Sequence, residues 1–210
     1  MKITLMGATG QTGSLVLSKL LAAGHDVTAL VRTPSKMTAQ DPHLRLVQGD
    51  VLKRDDVTQV VAGSDAVISV IGARTLKPDT ICADSAHIVI EAMRSTGARR
   101  FVCISGAGLN DNAGFIIQRI VRPLLLKNVY ADAVEQDKLI AASGLDWTIV
   151  RPYRLTTGAA TAHYKVADQT FRSPIFLRWT SRADVADFMA RESQSNQHIQ
   201  KITFISSGSF

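Results

Sequence analysis

Three glycines at regular spacing, in Gly7-Ala8-Thr9-Gly10-Gln11-Thr12-Gly13, constrain this chain more than any other feature. An apolar run, Ile3 to Met6, precedes them and a helical pattern over residues 11–23 follows. That context is strand, tight turn, helix. Glycine serves such a turn in three ways. It lets the backbone reverse sharply, it lets a bulky anion approach the main chain, and it lets the helix pack close to the strand. The helix start offers unpaired N–H groups and a positive dipole end, which suit phosphate. An inert glycine turn is the alternative, and the flanking pattern argues against it.

The same alternation continues along the chain. Residues 2–6, 26–31, 44–48, 66–70, 99–105, 147–150 and 201–205 read as strands. Residues 11–23, 55–61, 80–95, 131–142 and 181–192 read as helices. Gly24, Gly97 and Gly144 supply helix stops, and Ser181-x-x-Asp184 resembles a capping arrangement. Strands separated by helices imply a parallel sheet covered on both faces. The expectation is an α/β fold: a Rossmann-type doubly wound parallel sheet, three-layer α/β/α, in a single domain over residues 1–210. A small C-terminal substrate cap is expected, mainly from residues 106–128 and 153–180. Ligands of such a sheet bind at the carboxyl ends of its strands.

Bulk properties narrow the function. Hydrophobic residues make up 46% and charged residues 20%, which suits a globular domain. No apolar run reaches the roughly 18 residues of a membrane helix. Met1-Lys2 leads straight into the first strand, so a cytoplasmic location and no membrane partner are expected. The net charge of +6 comes from scattered residues, so nucleic acid is not expected as a partner. Cys82 and Cys103 form neither a disulfide framework nor a metal-ligand spacing, and no metal site is expected. Residues 114–128 carry Phe115, Ile116, Ile120, Val121, Leu124 and Leu125, a candidate apolar helix face. It would pack on the body, meet a second copy or wall the active site; monomer and homodimer both stay open.

Four stretches carry a family resemblance: the glycine loop, Val47-Gln48-Gly49-Asp50-Val51, Phe101-Val102-Cys103-Ile104-Ser105, and residues 143–152, SGLDWTIVRP. Together they resemble the atypical short-chain dehydrogenases/reductases. The compact NAD(P)H-binding branch with flavin reductase/biliverdin-IXβ reductase and the proteins designated NADH-flavin reductases is the most similar. The resemblance implies a dinucleotide held by Gly7, Thr9, Gly10, Gln11, Thr12 and Gly13. It implies adenine contacts at Asp50 and Val51, with the acid accepting from the exocyclic amine, although a turn acid reads equally well from the residues. It further implies backbone beside the ribose and pyrophosphate at Ile71, Gly72, Ala73 and Arg74, and contacts at Ser105 and Pro152. After the second strand the chain reads Arg32-Thr33-Pro34-Ser35-Lys36, with no carboxylate to hold a ribose 2′-hydroxyl. Arg32, Thr33, Ser35 and Lys36 suit a 2′-phosphate, so NADP(H) is expected rather than NAD(H).

Most short-chain dehydrogenases use Tyr-x-x-x-Lys. Here Tyr130 is followed by Val134 at the lysine position, and Lys127 and Lys138 fall elsewhere. A reaction that must take a proton from an alcohol therefore lacks its usual dyad. Ser105, Tyr153 and Arg154 become the candidate catalytic residues: Ser105 to hydrogen-bond substrate or carboxamide, Tyr153 to close on the nicotinamide or stack on the acceptor. Arg154 stands where the similar reductases carry histidine and favours a carboxylate or phosphate. The expected function is NADPH-dependent hydride transfer to a small flat acceptor, such as a flavin or quinone. A non-catalytic NADP(H) redox sensor, a tailoring ketone or imine reductase, and an epimerase are the alternatives.

Overall fold

The computed structural model describes residues 1–73, 79–107, 127–171 and 178–208. Ten strands and five helices occur in them. β1 (Lys2–Met6), β2 (Asp26–Val31), β3 (Leu44–Gln48), β4 (Ala66–Ser69), β5 (Arg100–Ile104), β6 (Asp146–Pro152) and β10 (Lys201–Ser206) run parallel. β8 (Lys165–Ala167) closes one edge antiparallel to β10. The order is β3-β2-β1-β4-β5-β6-β10-β8. It reverses direction between β1 and β4, and a crevice opens there at the carboxyl ends of the strands.

Both faces of the sheet are buried. On one face α1 (Gln11–Ala22) and α5 (Arg182–Glu192) bring Leu17, Leu20 and Met189 against Ile3, Leu5 and Ile205. On the other, α2 (Arg54–Val61), α3 (Ile81–Thr96) and α4 (Lys127–Ala141) bring Val57, Met93 and Ile140 against Val67, Phe101 and Ile149. The α3 N-terminus is fixed by a neighbouring helix. Asp132 of α4 accepts the Cys82 and Ala83 N–H groups at 3.0 and 2.8 Å, satisfying first-turn donors beside a positive dipole end.

The sheet expected from the sequence is therefore present, with strand and helix ends shifted by a few residues. Three short strands were not anticipated: β7 (Arg154–Thr156), β8 and β9 (Trp179–Ser181). β7 and β9 form a separate parallel pair, and β8 joins the main sheet. Much of the expected cap, residues 108–126 and 172–177, lies outside the described residues, as does most of the apolar stretch 114–128. The capping arrangement is half realised. The Ser181 Oγ accepts the Ala183 N–H at 3.2 Å, but Asp184 does not reach back. Its oxygens accept the Thr161 N–H and hydroxyl and the Ser207 hydroxyl, at 2.9, 2.7 and 2.6 Å. No helix of the described residues is long and apolar enough to cross a membrane.

Candidate active site

The glycine turn leaves β1 through Gly7, at φ +87°. A Cβ on Gly7 would lie 2.7 Å from the Val70 carbonyl oxygen. Gly10 N–H donates to the Gly7 carbonyl at 3.0 Å and tightens the loop. A Cβ on Gly13 would lie 2.0 Å from that same oxygen, so α1 sits against the turn as closely as backbone allows. A Cβ on Gly10 would meet only the Gly7 carbonyl oxygen, at 3.3 Å. Gly10 is the N-cap of α1, no side chain among the described residues caps the helix, and its first turn holds no acid. The helix start is thus open to an anion.

Two cavities meet at this turn. One, of about 470 Å³, is lined by Gly10 to Gly13 and by Ile71 to Ala73, and extends past Ser105 to Tyr130 and Gln136. The other, about 240 Å³, is lined by Thr9, Leu30, Arg32, Gly49 and Val51. Gly10, Ile71 and Gly72 border both. Among the described residues, no atom lies within 4 Å of a Cβ added to Gly72, and Gly72 borders both cavities. An anion-accepting helix start between two clefts fits a dinucleotide: the pyrophosphate at the turn, one nucleoside to each side.

Past the turn, a buried polar group underlies the larger cleft. Ser105 N–H donates to the Val150 carbonyl at 2.7 Å, and its hydroxyl donates to Asp137 Oδ2 at 3.0 Å. Arg151 donates to the same oxygen through Nε and Nη2, at 3.1 and 2.7 Å. Burial pushes the Asp137 carboxyl above its usual range, while Arg151, Ser105 and Gln136 pull it down. With its O–H directed at Asp137, Ser105 Oγ keeps its lone pairs for a donor in the cleft. Tyr130, Ala133 and Gln136 line the adjacent wall, one face of α4 by their spacing. The Lys138 ammonium is exposed and lies 3.5 Å from Glu135.

A family model described as NAD(P)H-binding matches residues 7–195. The chain belongs to that NAD(P)H-binding family. An uncharacterized chloroplastic protein of Arabidopsis thaliana is 31% identical over 77% of the chain, which spans 62% of that relative's length. The oxidoreductase ylbE of Lactococcus lactis superposes with a TM-score of 0.83 at 24% identity, covering all of this chain and 92% of that one. A Streptococcus pneumoniae protein designated a candidate NADH-flavin reductase superposes at 0.80 with 25% identity, covering 99% and 100% of the two chains.

Within this NAD(P)H-binding protein the residues singled out by sequence divide into two groups. The cleft pair brings together Gly7, Thr9, Gly10, Gln11, Thr12, Gly13, Arg32, Val51, Ile71, Gly72, Ala73 and Ser105. Asp50 lines neither cavity; its Oδ1 accepts the Leu52 N–H at 3.1 Å and stabilises its own turn. Thr33, Ser35 and Lys36 are exposed beside Arg32, on and before the short 3₁₀ turn Pro34–Lys36. Arg74 lies outside the described residues. Pro152 is buried and lines neither cavity. Tyr153 is buried, its hydroxyl accepts the Phe171 N–H at 3.1 Å, and the Arg178 guanidinium lies 5.9 Å from its ring centre. That packing occupies the ring expected to close on the nicotinamide. Arg154 is exposed on β7 and does not line the cleft; the next residue of that strand, Leu155, does, because successive side chains of a strand point to opposite faces. Gln136, Leu155 and Arg182 line the cleft as well, although no motif in the sequence marks them. Gln136 follows Tyr130 and Ala133 at helical spacing, a signal available in the sequence.

Proposed function

We propose that the protein is an NADPH-dependent reductase that passes hydride to a flat conjugated acceptor such as a flavin or quinone. The observation that carries this reading is the cleft beside Ser105. Its described lining is largely apolar and includes Tyr130, while Val134 holds the lysine position and Lys138 faces Glu135. Valine at that position means that the chain does not carry the Tyr-x-x-x-Lys sequence on which alcohol chemistry relies. An acceptor that takes its proton from water needs no such dyad. Bound in the glycine cleft, the nicotinamide cofactor supplies the hydride. The chain's part is then to position and to exclude water: Ile71, Ile104 and Leu155 give apolar surface, and Ser105 offers an acceptor of fixed direction. The likeness to a protein designated a candidate NADH-flavin reductase supports the same chemistry.

The test is to mix purified protein with NADPH, then with FMN and menadione, and follow absorbance of the reduced nicotinamide. Oxidation with at least one acceptor is expected. Tight NADPH binding with no oxidation across a panel of flat acceptors would reject the reductase reading and favour a regulatory module.

The preference for NADPH rests on Arg32, which lines the smaller cavity at the end of β2 with no acid beside it. Arg32→Ser removes a charge-assisted fork to the 2′-phosphate. It should weaken NADPH roughly ten-fold or more and leave NADH nearly unchanged. Equal weakening of both cofactors, measured by fluorescence titration, would assign Arg32 elsewhere.

A further inference from the structure

Among the described residues lining the 470 Å³ cleft, Arg182 alone carries a formal charge. It is half-buried at the first position of α5. Every acid of its own helix is engaged by another group. Asp184 is held by Thr161 and Ser207. Asp187 is held by Lys19, Tyr164 and Arg191. Glu192 is held by Arg100 and His198. A cation in the first turn also opposes the helix dipole, so helix stability does not account for it. A residue that breaks a local rule while facing a cavity points to a ligand.

Residues Gly10 to Gly13, at the start of α1, line the same cleft. We infer that Arg182 recognises a phosphoryl group in this cleft, either on a phosphorylated acceptor such as FMN or on the cofactor's pyrophosphate. The planar guanidinium matches phosphate oxygens through two parallel hydrogen bonds. The inference rests on the reductase reading only for the class of acceptor.

Equilibrium binding to the wild-type protein and to Arg182→Gln separates the two sources. FMN and riboflavin are followed by flavin fluorescence and NADPH by its own emission. If the acceptor phosphate is the partner, FMN binding weakens about ten-fold or more, with riboflavin and NADPH unchanged. If the pyrophosphate is the partner, NADPH weakens instead and the FMN-to-riboflavin ratio stays constant. Arg182→Lys should recover part of the loss, because it keeps the charge and loses the fork; a purely structural role gives no such pattern. Should Arg182→Gln fail to fold, the lysine variant carries the same comparison. Unchanged binding of all three ligands overturns the inference, as does failure of both FMN and NADPH to bind the wild-type protein. Arg182-dependent FMN binding without turnover would reject the reductase reading and leave Arg182 assigned.

Discussion

Gly13→Ala should abolish measurable NADPH binding and sharply lower the melting temperature, although alanine is the better helix former. Helix propensity alone would favour the change by about 1 kcal/mol. Against it stands a Cβ placed 2.0 Å from the Gly7 carbonyl oxygen and 2.7 Å from its carbon. Backbone cannot swing aside as a side chain does, so α1 must lift away from the turn. The cost lies at or above the upper end of the roughly 1–3 kcal/mol usual for overpacking. The lift also moves the N–H groups of the helix start away from the place where they meet phosphate. Gly24→Ala is the control. Gly24 has φ +75° and no heavy atom within 4 Å of an added Cβ. It should cost about 1 kcal/mol through backbone strain alone and leave NADPH affinity unchanged. Thermal melting and fluorescence titration of the two variants measure both effects. If Gly13→Ala binds NADPH as the wild type does, the close approach of α1 to the turn is not what forms the anion site.

The glycine turn was legible because all its partners are local: strand, loop and helix lie within one short segment. The main parallel strands were legible for a similar reason, since each is an apolar run bounded by a helix. β7, β8 and β9 escaped because three residues are too few to show a period, and β7 pairs with residues far along the chain. The substrate side of the site was less legible for a topological reason. Arg154 follows β6 in sequence, and strand-end loops carry sites in this fold, yet on β7 it is Leu155, not Arg154, that faces the cleft. Arg182 reaches the cleft because the strand order sets α5 beside α1 on the same face of the sheet. Likewise the grip of Asp137 on Ser105 and Arg151 joins α4, β5 and β6, and no spacing along the chain announces it. Tyr153 shows the converse. An aromatic residue at a strand end reads as a site wall, but Phe171 and Arg178 enclose it.

Glu192→Ala should destabilise the protein by about 3–5 kcal/mol, the cost of leaving a buried charge unpaired. Glu192 and Arg100 have side-chain exposures of only 3% and 8% and lie 2.7 Å apart. Arg100 also donates to the carbonyls of Asp146 and Glu192, and Glu192 accepts from the Thr148 hydroxyl and meets His198 at 2.8 Å. The cluster therefore ties the amino ends of β5 and β6 to the end of α5. Burial lowers the Arg100 pKa from its ordinary value, with Glu192 and Asp146 opposing the shift. Removing Glu192 strips away the largest opposing charge and leaves the desolvation cost in full. A loss of that size is a large part of the roughly 5–15 kcal/mol that holds a typical domain. The urea midpoint should fall accordingly, with the slope unchanged. Glu192→Gln, which keeps an acceptor for Arg100, should fall between the two. Arg100→Met combined with Glu192→Leu should be less destabilising than the alanine variant, because neither charge remains buried. NADPH affinity, measured where each variant is still folded, should not change, since the cluster sits at the amino end of β5 and the cleft at its carboxyl end. An alanine variant as stable as the wild type would mean that water solvates Arg100 once its partner is gone.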